Sequence, residues 1–249
     1  GWSGATTRFY YPAMMTTDET SCDIGYVGKD AYDATEGLPA NPFEDYNNPH
    51  PENPDCNYTS TFNGTSSAAP TVSGVISLML EANPNLTWRD VKHILAGTSR
   101  KINSTDSYSY RGLTQYSWTE NAAGYEHHPR YGFGAVDAAA AISAAESYTQ
   151  GQLGSFINTG WIGGSTDTTI QDSNIVTWTY SASAPEGSSG IVEFIKLRVD
   201  FTHEAPETFG ISLVSPGGIE MPVLQPFHDA TNNPADDGTF EGVVVRPIS

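Results

Sequence analysis

Apolar residues recur at helical spacing in three stretches within the first 150 positions. The spacing predicts helices from Ser66 to Glu81, from Thr87 onward, and from Asp137 to Ser147. Thr87 is followed three residues later by Asp90, a pattern typical of a capping box at a helix N-terminus. The residues predicted to face inward are Ala69, Val72, Ile76, Met79 and Leu80 in the first helix, Val91, Ile94 and Leu95 in the second, and Ala141, Ile142 and Ala145 in the third.

Near Tyr148 the helical period gives way to alternating apolar and polar residues, with more Gly, Ser, Thr and β-branched residues. Such alternation is typical of half-buried strands, and turn signals at 186–188 and 215–218 separate the runs. The pattern favours an antiparallel β-sandwich. The predicted strands span residues 175–180, 191–201, 209–214 and 219–224.

The remaining segments carry little periodicity. A short strand is predicted near residues 11–16, leading toward the first helix. Residues 23–55 are rich in Asn, Asp and Pro and predict a surface loop, and residues 99–129 form a polar, Tyr-rich, irregular segment. The adjacent His127 and His128 fall in that irregular segment, where a structural role is favoured over metal binding.

Composition excludes several classes of protein. With 29 acidic and 11 basic residues, the net charge of −18 argues against nucleic-acid binding. A hydrophobic content of 38% argues against global disorder, and no apolar run reaches the roughly 18 residues of a membrane span. The sequence opens at Gly1 without Met, which we interpret as a segment of a longer precursor.

The segment that enters the first helix contains the candidate chemistry. It reads Asn-Gly-Thr-Ser-Ser-Ala-Ala-Pro from Asn63 to Pro70. Gly64 allows a tight turn, and Pro70 is expected within the first helical turn. Ser66 then lies at the helix N-terminus, near free backbone N–H groups that could hold an oxyanion. From residue chemistry alone, a helix-capping serine is favoured over a nucleophile.

The exact string changes this interpretation. Gly64-Thr65-Ser66-x-Ala68-x-Pro70 resembles the nucleophile motif of the subtilisin-like serine proteases, the subtilases. The stretch from Leu80 to His93 resembles the kexin/furin branch, and Tyr131–Ala138 is similar to the glycine-rich turn and last helix of the subtilase catalytic domain. The resemblance implies that Ser66 is the nucleophile and that Gly64 and Thr65 form its turn.

The alternating C-terminal region resembles the P domain, the jelly-roll partner of kexin-like proteases, at residues 192–203 and 211–218. The resemblance implies an α/β catalytic domain (its C-terminal portion) at 1–147 and an incomplete all-β P domain at 148–249. Two departures concern the latter domain. Thr208-Phe209-Gly210 stands where the family usually has Gly-Asp-Leu, and the family's closing Gly-Glu and Trp motifs are missing.

The resemblance implies further properties. These are peptide-bond hydrolysis by an acyl-enzyme mechanism, cleavage after basic residues, a secreted or periplasmic location, a propeptide partner, and dependence on Ca²⁺. The family's extracellular character favours a Cys22–Cys56 disulfide over two buried free thiols. Asp23, Asp30 and Asp33 could bind Ca²⁺, but their spacing fits no known ligand pattern, so a solvated loop is favoured and the metal ligands stay unknown.

The rest of the catalytic triad is not recognisable in these residues. In subtilases the triad Asp and His precede the Ser, within Asp-Ser/Thr-Gly and His-Gly-Thr motifs. Neither motif occurs here, and we assign His50 and Asp23 to the loop. We therefore expect the 249-residue chain alone to be inactive and to need the N-terminal half of the catalytic domain.

Two other interpretations remain open. One is a catalytically inactive subtilase-like module with a binding or structural role. The other is an α/β-hydrolase, in which His127 or His203 could follow the nucleophile. The hydrolase is disfavoured because Ala68 occupies the last position of the Gly-x-Ser-x-Gly motif.

Overall fold

The chain divides into two compact units, Gly1–Glu81 and Ala82–Ser249, each considered by itself. The computed structural model describes residues 14–22, 43, 49–109, 115–121, 123–163, 169, 175–181, 183, 186, 192–201, 210–224 and 238–244. Among these residues, no helix has the length and apolar character needed to cross a lipid bilayer.

The first unit contains an antiparallel pair of strands. Strand β1 (Met14–Thr17) pairs with β2 (Tyr58–Phe62), and the register shifts between Met14 and Thr16. The strand predicted near 11–16 is therefore present from residue 14; residues 11–13 lie outside the described part. Backbone bonds continue beyond the strands, and a disulfide joins Cys22 to Cys56, as predicted. The disulfide closes the chain between the two strands into a loop.

Helix α1 (Thr65–Ala82) begins directly after the Asn63-Gly64 step. The predicted bounds were correct to one residue at each end, but the predicted inward face was partly wrong. Met79 is buried as expected, whereas Ala69 and Leu80 are exposed and the other buried positions are Ser67 and Val75. Apolar and small residues occur all around this helix, so spacing alone does not fix which face is buried.

The second unit begins with two capped helices, α2 (Trp88–Thr98) and α3 (Ala138–Ser147). The predicted capping box is confirmed: the Thr87 backbone N–H donates to the Asp90 carboxylate at 2.8 Å, and the Asp90 N–H donates to Thr87 Oγ1 at 3.3 Å. Burial alone would raise the pKa of Asp90, but hydrogen bonds from Thr87 and Tyr148 and the charge of Arg89 together lower that pKa. Asp137 caps α3 by accepting from the Ala140 N–H at 3.0 Å.

The inward faces of these two helices were predicted correctly. Val91, Ile94, Ala141 and Ala145 are buried, while Leu95 and Ile142 are half-buried. Between the helices, the segment predicted to be irregular contains two short antiparallel pairs. These are β3 (Ser107–Ser109) with β4 (Gln115–Ser117), and β5 (Thr119–Glu120) with β6 (Glu126–His127). Strands of two or three residues are too short to show alternation in the sequence.

His128 is completely buried in the segment that follows β6. Its ring packs between Trp118 and Tyr131, with centroids 5.5 and 4.8 Å away. Nδ1 accepts from the Arg130 backbone N–H at 3.1 Å, which assigns the proton of the neutral ring to Nε2. Burial lowers the pKa of His128; Asp106, 3.6 Å from Nε2, opposes this effect, and the Arg130 guanidinium adds to it.

We expect the stability of the second unit to fall on acidification because of His128. A histidine whose pKa is lower in the folded state contributes stability above its unfolded pKa of about 6.5, and this is lost as the pH falls toward the folded value. Urea denaturation between about pH 5 and 8 measures the slope. His128→Asn keeps an acceptor for the Arg130 N–H and should flatten the slope of unfolding free energy against pH.

Asp106→Asn serves as the companion variant for this prediction. It removes the carboxylate that favours the charged imidazole ring, so the pKa of His128 should fall further. The loss of stability on acidification should then extend to lower pH. An unchanged slope in His128→Asn would show that other groups set the acid sensitivity.

The C-terminal part of the second unit contains two antiparallel strand pairs, β7 (Ile195–Phe201) with β10 (Gly238–Val244) and β8 (Ile211–Val214) with β9 (Glu220–Leu224). Met221 is buried there, surrounded by Ile195, Leu213, Ile219 and Val223. These contacts bring β7 against the β8–β9 pair. The predicted strands at 191–201, 209–214 and 219–224 each overlap one of these elements.

The strand predicted at 175–180 was wrong. These residues form no regular element, and Ile175 is 93% exposed. Strand β10 was not predicted. Alternation identifies a segment that could pair, but the partner strand decides whether it does. The sandwich itself and the domain division at residue 147 stay predictions.

Arg89, on α2, binds two distant segments of the second unit. Its Nε donates to the Glu193 carboxylate at 2.9 and 3.1 Å, and Nη2 forms an ion pair with the same group. The two Nη groups also donate to the carbonyls of Leu153 and Gly154, at 3.1 and 2.9 Å. The Phe156 ring lies under the guanidinium, 5.5 Å away. The hydrogen bonds to Glu193 raise the pKa of Arg89, so the charge is firmly held.

Replacing Arg89 with Met should lower the free energy of unfolding of this unit by about 2 kcal/mol, because hydrogen bonds to charged groups contribute roughly 1.5–3 kcal/mol. The two side chains are only 13% and 25% exposed, so water replaces the lost partner poorly. Urea denaturation followed by tryptophan fluorescence measures the change.

Arg100→Met is the matched control for Arg89. Arg100 pairs with Asp137 at 3.3 Å but is 66% exposed, and an exposed pair contributes at most about 1 kcal/mol. Equal losses in the two variants would contradict a special role for Arg89.

Candidate active site

A tight turn carries the chain from β2 into α1. Gly64 has φ +78°, in the left-handed region, and its carbonyl accepts from the Ser67 and Ala68 N–H groups at 3.3 and 3.2 Å. A Cβ at this position would meet no atom within 4 Å. The requirement for glycine here is therefore conformational and not steric.

Ser66 lies in the first turn of α1. Ser66 is exposed, and its side chain and the N–H groups of Thr65 and Ser66 have no hydrogen-bond partner among the described residues. Free N–H groups and the positive end of the helix dipole favour negative charge at this point. The arrangement suits a nucleophile whose reaction develops an oxyanion beside it.

Pro70 was predicted within the first turn, but it lies inside α1, which begins at Thr65. Because proline has no N–H, the Ser66 carbonyl, four residues earlier, lacks its usual helical donor. The backbone around Ser66 is thus less tied into the helix than that of a regular helical residue.

Ser66 and Ser67 have opposite environments. Ser67 is buried, and its hydroxyl donates to the Gly64 carbonyl at 2.9 Å. Its own carbonyl accepts from Thr71 Oγ1 at 3.0 Å. Ser66 lies inside the helix and makes no capping bond with any described residue, so the capping explanation that chemistry alone favoured does not describe it. Ser67 is tied into the turn, whereas Ser66 is exposed.

The other candidates lie elsewhere. His50 belongs to the loop before β2, where its Nδ1 accepts from the Glu52 N–H at 3.2 Å and its ring lies 5.5 Å from that of Phe43. Asp23 falls outside the described residues, as do the possible calcium ligands Asp30 and Asp33. In the described part of the chain, no group of three or more His, Cys, Asp or Glu could hold a metal ion. The acids that the structure describes therefore offer no calcium site.

Sequence reasoning missed Asn53. It is buried in the same loop as His50 and binds the backbone at the start of β2. An Asn in an Asn- and Pro-rich loop gives no signal in the sequence that separates it from its solvated neighbours.

Residues 19–134 match the sequence pattern of the Subtilase family (Peptidase_S8), and this region includes the Gly64 turn and Ser66. The chain belongs to the subtilase family. Its relatives include kexin from Saccharomyces cerevisiae, 32% identical over 186 residues (72% of this chain and 22% of kexin). Proprotein convertase subtilisin/kexin type 5 from Rattus norvegicus is 35% identical over 176 residues (67% and 9%). These matches place this subtilase in the kexin/furin branch.

A third relative covers more of this subtilase chain. The extracellular serine protease of Aeromonas sobria is 30% identical over 240 residues, 90% of this chain and 36% of that protein. The crystal structure of the A. sobria serine protease in complex with a chaperone matches with a TM-score of 0.63 and 26% identity, over 87% of this chain and 36% of that one. The subtilase chain thus spans about a third of the A. sobria protease and smaller shares of kexin and the convertase.

Proposed function

We propose that this subtilase chain carries the nucleophile of a serine endopeptidase of the kexin/furin branch. The observation that supports the proposal best is the exposed hydroxyl of Ser66 at the start of α1, which, like the adjacent N–H groups, has no hydrogen-bond partner among the described residues. Family membership supports the reaction class, because relatives of this chain are named as serine proteases and convertases.

In the proposed reaction, Ser66 Oγ attacks the carbonyl carbon of the scissile peptide bond. Its proton passes to a histidine base and then to the leaving amine, and an acyl ester remains on Ser66. Water, deprotonated by the same base, hydrolyses the ester and restores the hydroxyl. In this proposal, the Ser66 N–H donates to the oxyanion of each tetrahedral intermediate.

The base and its orienting aspartate come, in this proposal, from sequence beyond the 249 residues, since neither family motif occurs among them. A serine hydroxyl without a base is a weak nucleophile, so the isolated chain is expected to be inactive. We propose that the N-terminal half of the catalytic domain supplies both groups.

Substrate and partners follow from the same relationship. We propose cleavage after basic residues, which the resemblance to the kexin/furin branch implies, and a net charge of −18 would attract cationic peptides. The A. sobria protease forms a complex with a chaperone and is named as extracellular, so we propose a propeptide or chaperone partner and a secreted location here. We propose Ca²⁺ dependence from family membership alone.

We also propose that residues 148–249 form an incomplete P domain. The two antiparallel pairs β7–β10 and β8–β9, joined by the cluster around Met221, support a two-layered β-structure. Contacts between the strand pairs would form the interior of the proposed jelly roll.

A fluorophosphonate probe tests the proposed activity. The full-length protein should be labelled on the peptide that contains Ser66, as located by mass spectrometry, and should cleave an Arg-containing fluorogenic peptide. The 249-residue chain should do neither. A folded full-length protein that takes up no probe would support the inactive binding module instead.

A further inference from the structure

Asn53 forms an unusually complete set of bonds for a loop residue. It is 2% exposed, and its Nδ2 donates to the carbonyls of Tyr58 and Phe43 at 2.8 and 3.2 Å. Its Oδ1 accepts from the Tyr58 N–H at 3.1 Å. The Asn53 backbone is fixed as well, because its N–H donates to the His50 carbonyl and its carbonyl accepts from the Cys56 N–H. Both the donor and the acceptor of the side-chain amide are therefore hydrogen-bonded.

These bonds satisfy both backbone groups of Tyr58, the first residue of β2. The Asp18 N–H donates to the Asn57 carbonyl at 2.7 Å, which makes Asp18 and Asn57 a hydrogen-bonded pair. Hydrogen-bonded and non-hydrogen-bonded pairs alternate along an antiparallel ladder, so the next pair, Thr17 with Tyr58, is not hydrogen-bonded. The Tyr58 N–H and carbonyl consequently face away from β1. The Asn53 amide satisfies both groups from that other edge, as a backbone peptide of a third strand would.

Strand β2 transmits this constraint to the candidate nucleophile. It continues to Phe62, and only Asn63 and Gly64 separate it from α1. A pair of strands by itself is marginally stable in water, so the hydrogen bonds that Asn53 adds at the first residue of β2 matter. The direction in which the chain enters the Gly64 turn therefore depends on how firmly Tyr58 is held.

We propose that Asn53 is a positioning residue for Ser66, an inference that rests on the proposed protease function. Asn53 fixes the start of β2 and so the placement of the Gly64–Ser66 turn. A misplacement of about 1 Å can lower a reaction rate by roughly 10²-fold. We expect loss of the amide to lower turnover by about 10- to 100-fold while substrate binding changes little.

The test compares Asn53→Ala with Asn121→Ala in the full-length protein. Asn121 is a matched control because its Oδ1 accepts from the Ala123 and Tyr125 N–H groups, at 3.0 and 2.9 Å, in the β5–β6 turn. For each variant, kcat and KM for an Arg-containing peptide and the rate of fluorophosphonate labelling are measured per folded molecule. Asn53→Ala should lose kcat and labelling rate with KM nearly unchanged, and Asn121→Ala should lose neither.

Asn53→Asp provides a second measurement if the alanine variant folds poorly. The carboxylate can accept from the Tyr58 N–H but cannot donate to the Tyr58 or Phe43 carbonyl, whereas a protonated carboxyl regains one donor. Its activity relative to wild type should therefore rise as the pH falls toward the carboxyl pKa. Faster hydrogen exchange in residues 58–66 should accompany both variants, and this readout does not require activity.

Three outcomes are distinguishable. If folded Asn53→Ala has the kcat and labelling rate of the wild type, the positioning role is overturned. It is also overturned if the activity of Asn53→Asp relative to wild type does not change with pH. Absence of labelling in the wild-type protein would refute the proposed protease function itself, and the positioning role with it.

Discussion

Replacing Ser66 with Ala in the full-length protein should abolish fluorophosphonate labelling and lower kcat for an Arg-containing peptide by about 10⁶-fold. This magnitude is the loss measured when the nucleophile of subtilisin, another subtilase, is removed. The physical reason is that the variant lacks the oxygen that would attack the peptide carbonyl. The Ser67 hydroxyl donates to the Gly64 carbonyl and is buried, so it cannot substitute.

Ser73→Ala is the matched control for this variant. Ser73 is an exposed serine of the same helix, and its hydroxyl donates to the Ala69 carbonyl at 3.1 Å. The control removes a hydroxyl from α1 without touching the turn, so activity should stay within about twofold of wild type. Continued labelling of Ser66→Ala at another site in this region would show that Ser66 is not the nucleophile.

Short-range features of the fold were predictable from the sequence. The capping box of Thr87 and Asp90 and the cap of α3 by Asp137 involve residues three positions apart, so local chemistry determines them. The helix bounds followed from period and caps together. Ser66 was a different case, because chemistry favoured a cap and only the longer family motif indicated a nucleophile. Within the part of the chain that the structure describes, Ser66 makes no capping bond.

Features that depend on distant partners were not predictable. Residues 175–180 alternate like a strand but form none, while β10 pairs with β7 across more than thirty residues of intervening sequence. Likewise, the buried face of α1 depends on what packs against it, and its composition is apolar on several sides. Asn53 acts through two backbone groups of Tyr58, an interaction that side-chain patterns do not reveal.

Replacing both Cys22 and Cys56 with Ser should lower the free energy of unfolding of the first unit by about 3–4 kcal/mol, the second large effect that we expect. The bond closes a loop of 33 intervening residues, and in the chain-entropy model most of the gain comes from restricting the unfolded chain. Native contacts add to the effect. Cys56 is buried and has φ +51°, and the backbone bonds from Asp18 and Ser21 flank it.

Hydrogen exchange of β2 is the appropriate measurement for this variant, because it reports local opening of the strand that the disulfide supports. Wild-type protein treated with a reducing agent should show the same loss as the double variant, and the reductant should leave the double variant unchanged. A loss below about 1 kcal/mol would indicate that the loop is already restricted in the unfolded chain. Because β2 leads directly into the Gly64 turn, loss of hydrogen-exchange protection at residues 58–62 should also slow fluorophosphonate labelling of Ser66. Such a result would connect the stability of the disulfide loop with the reactivity of the site.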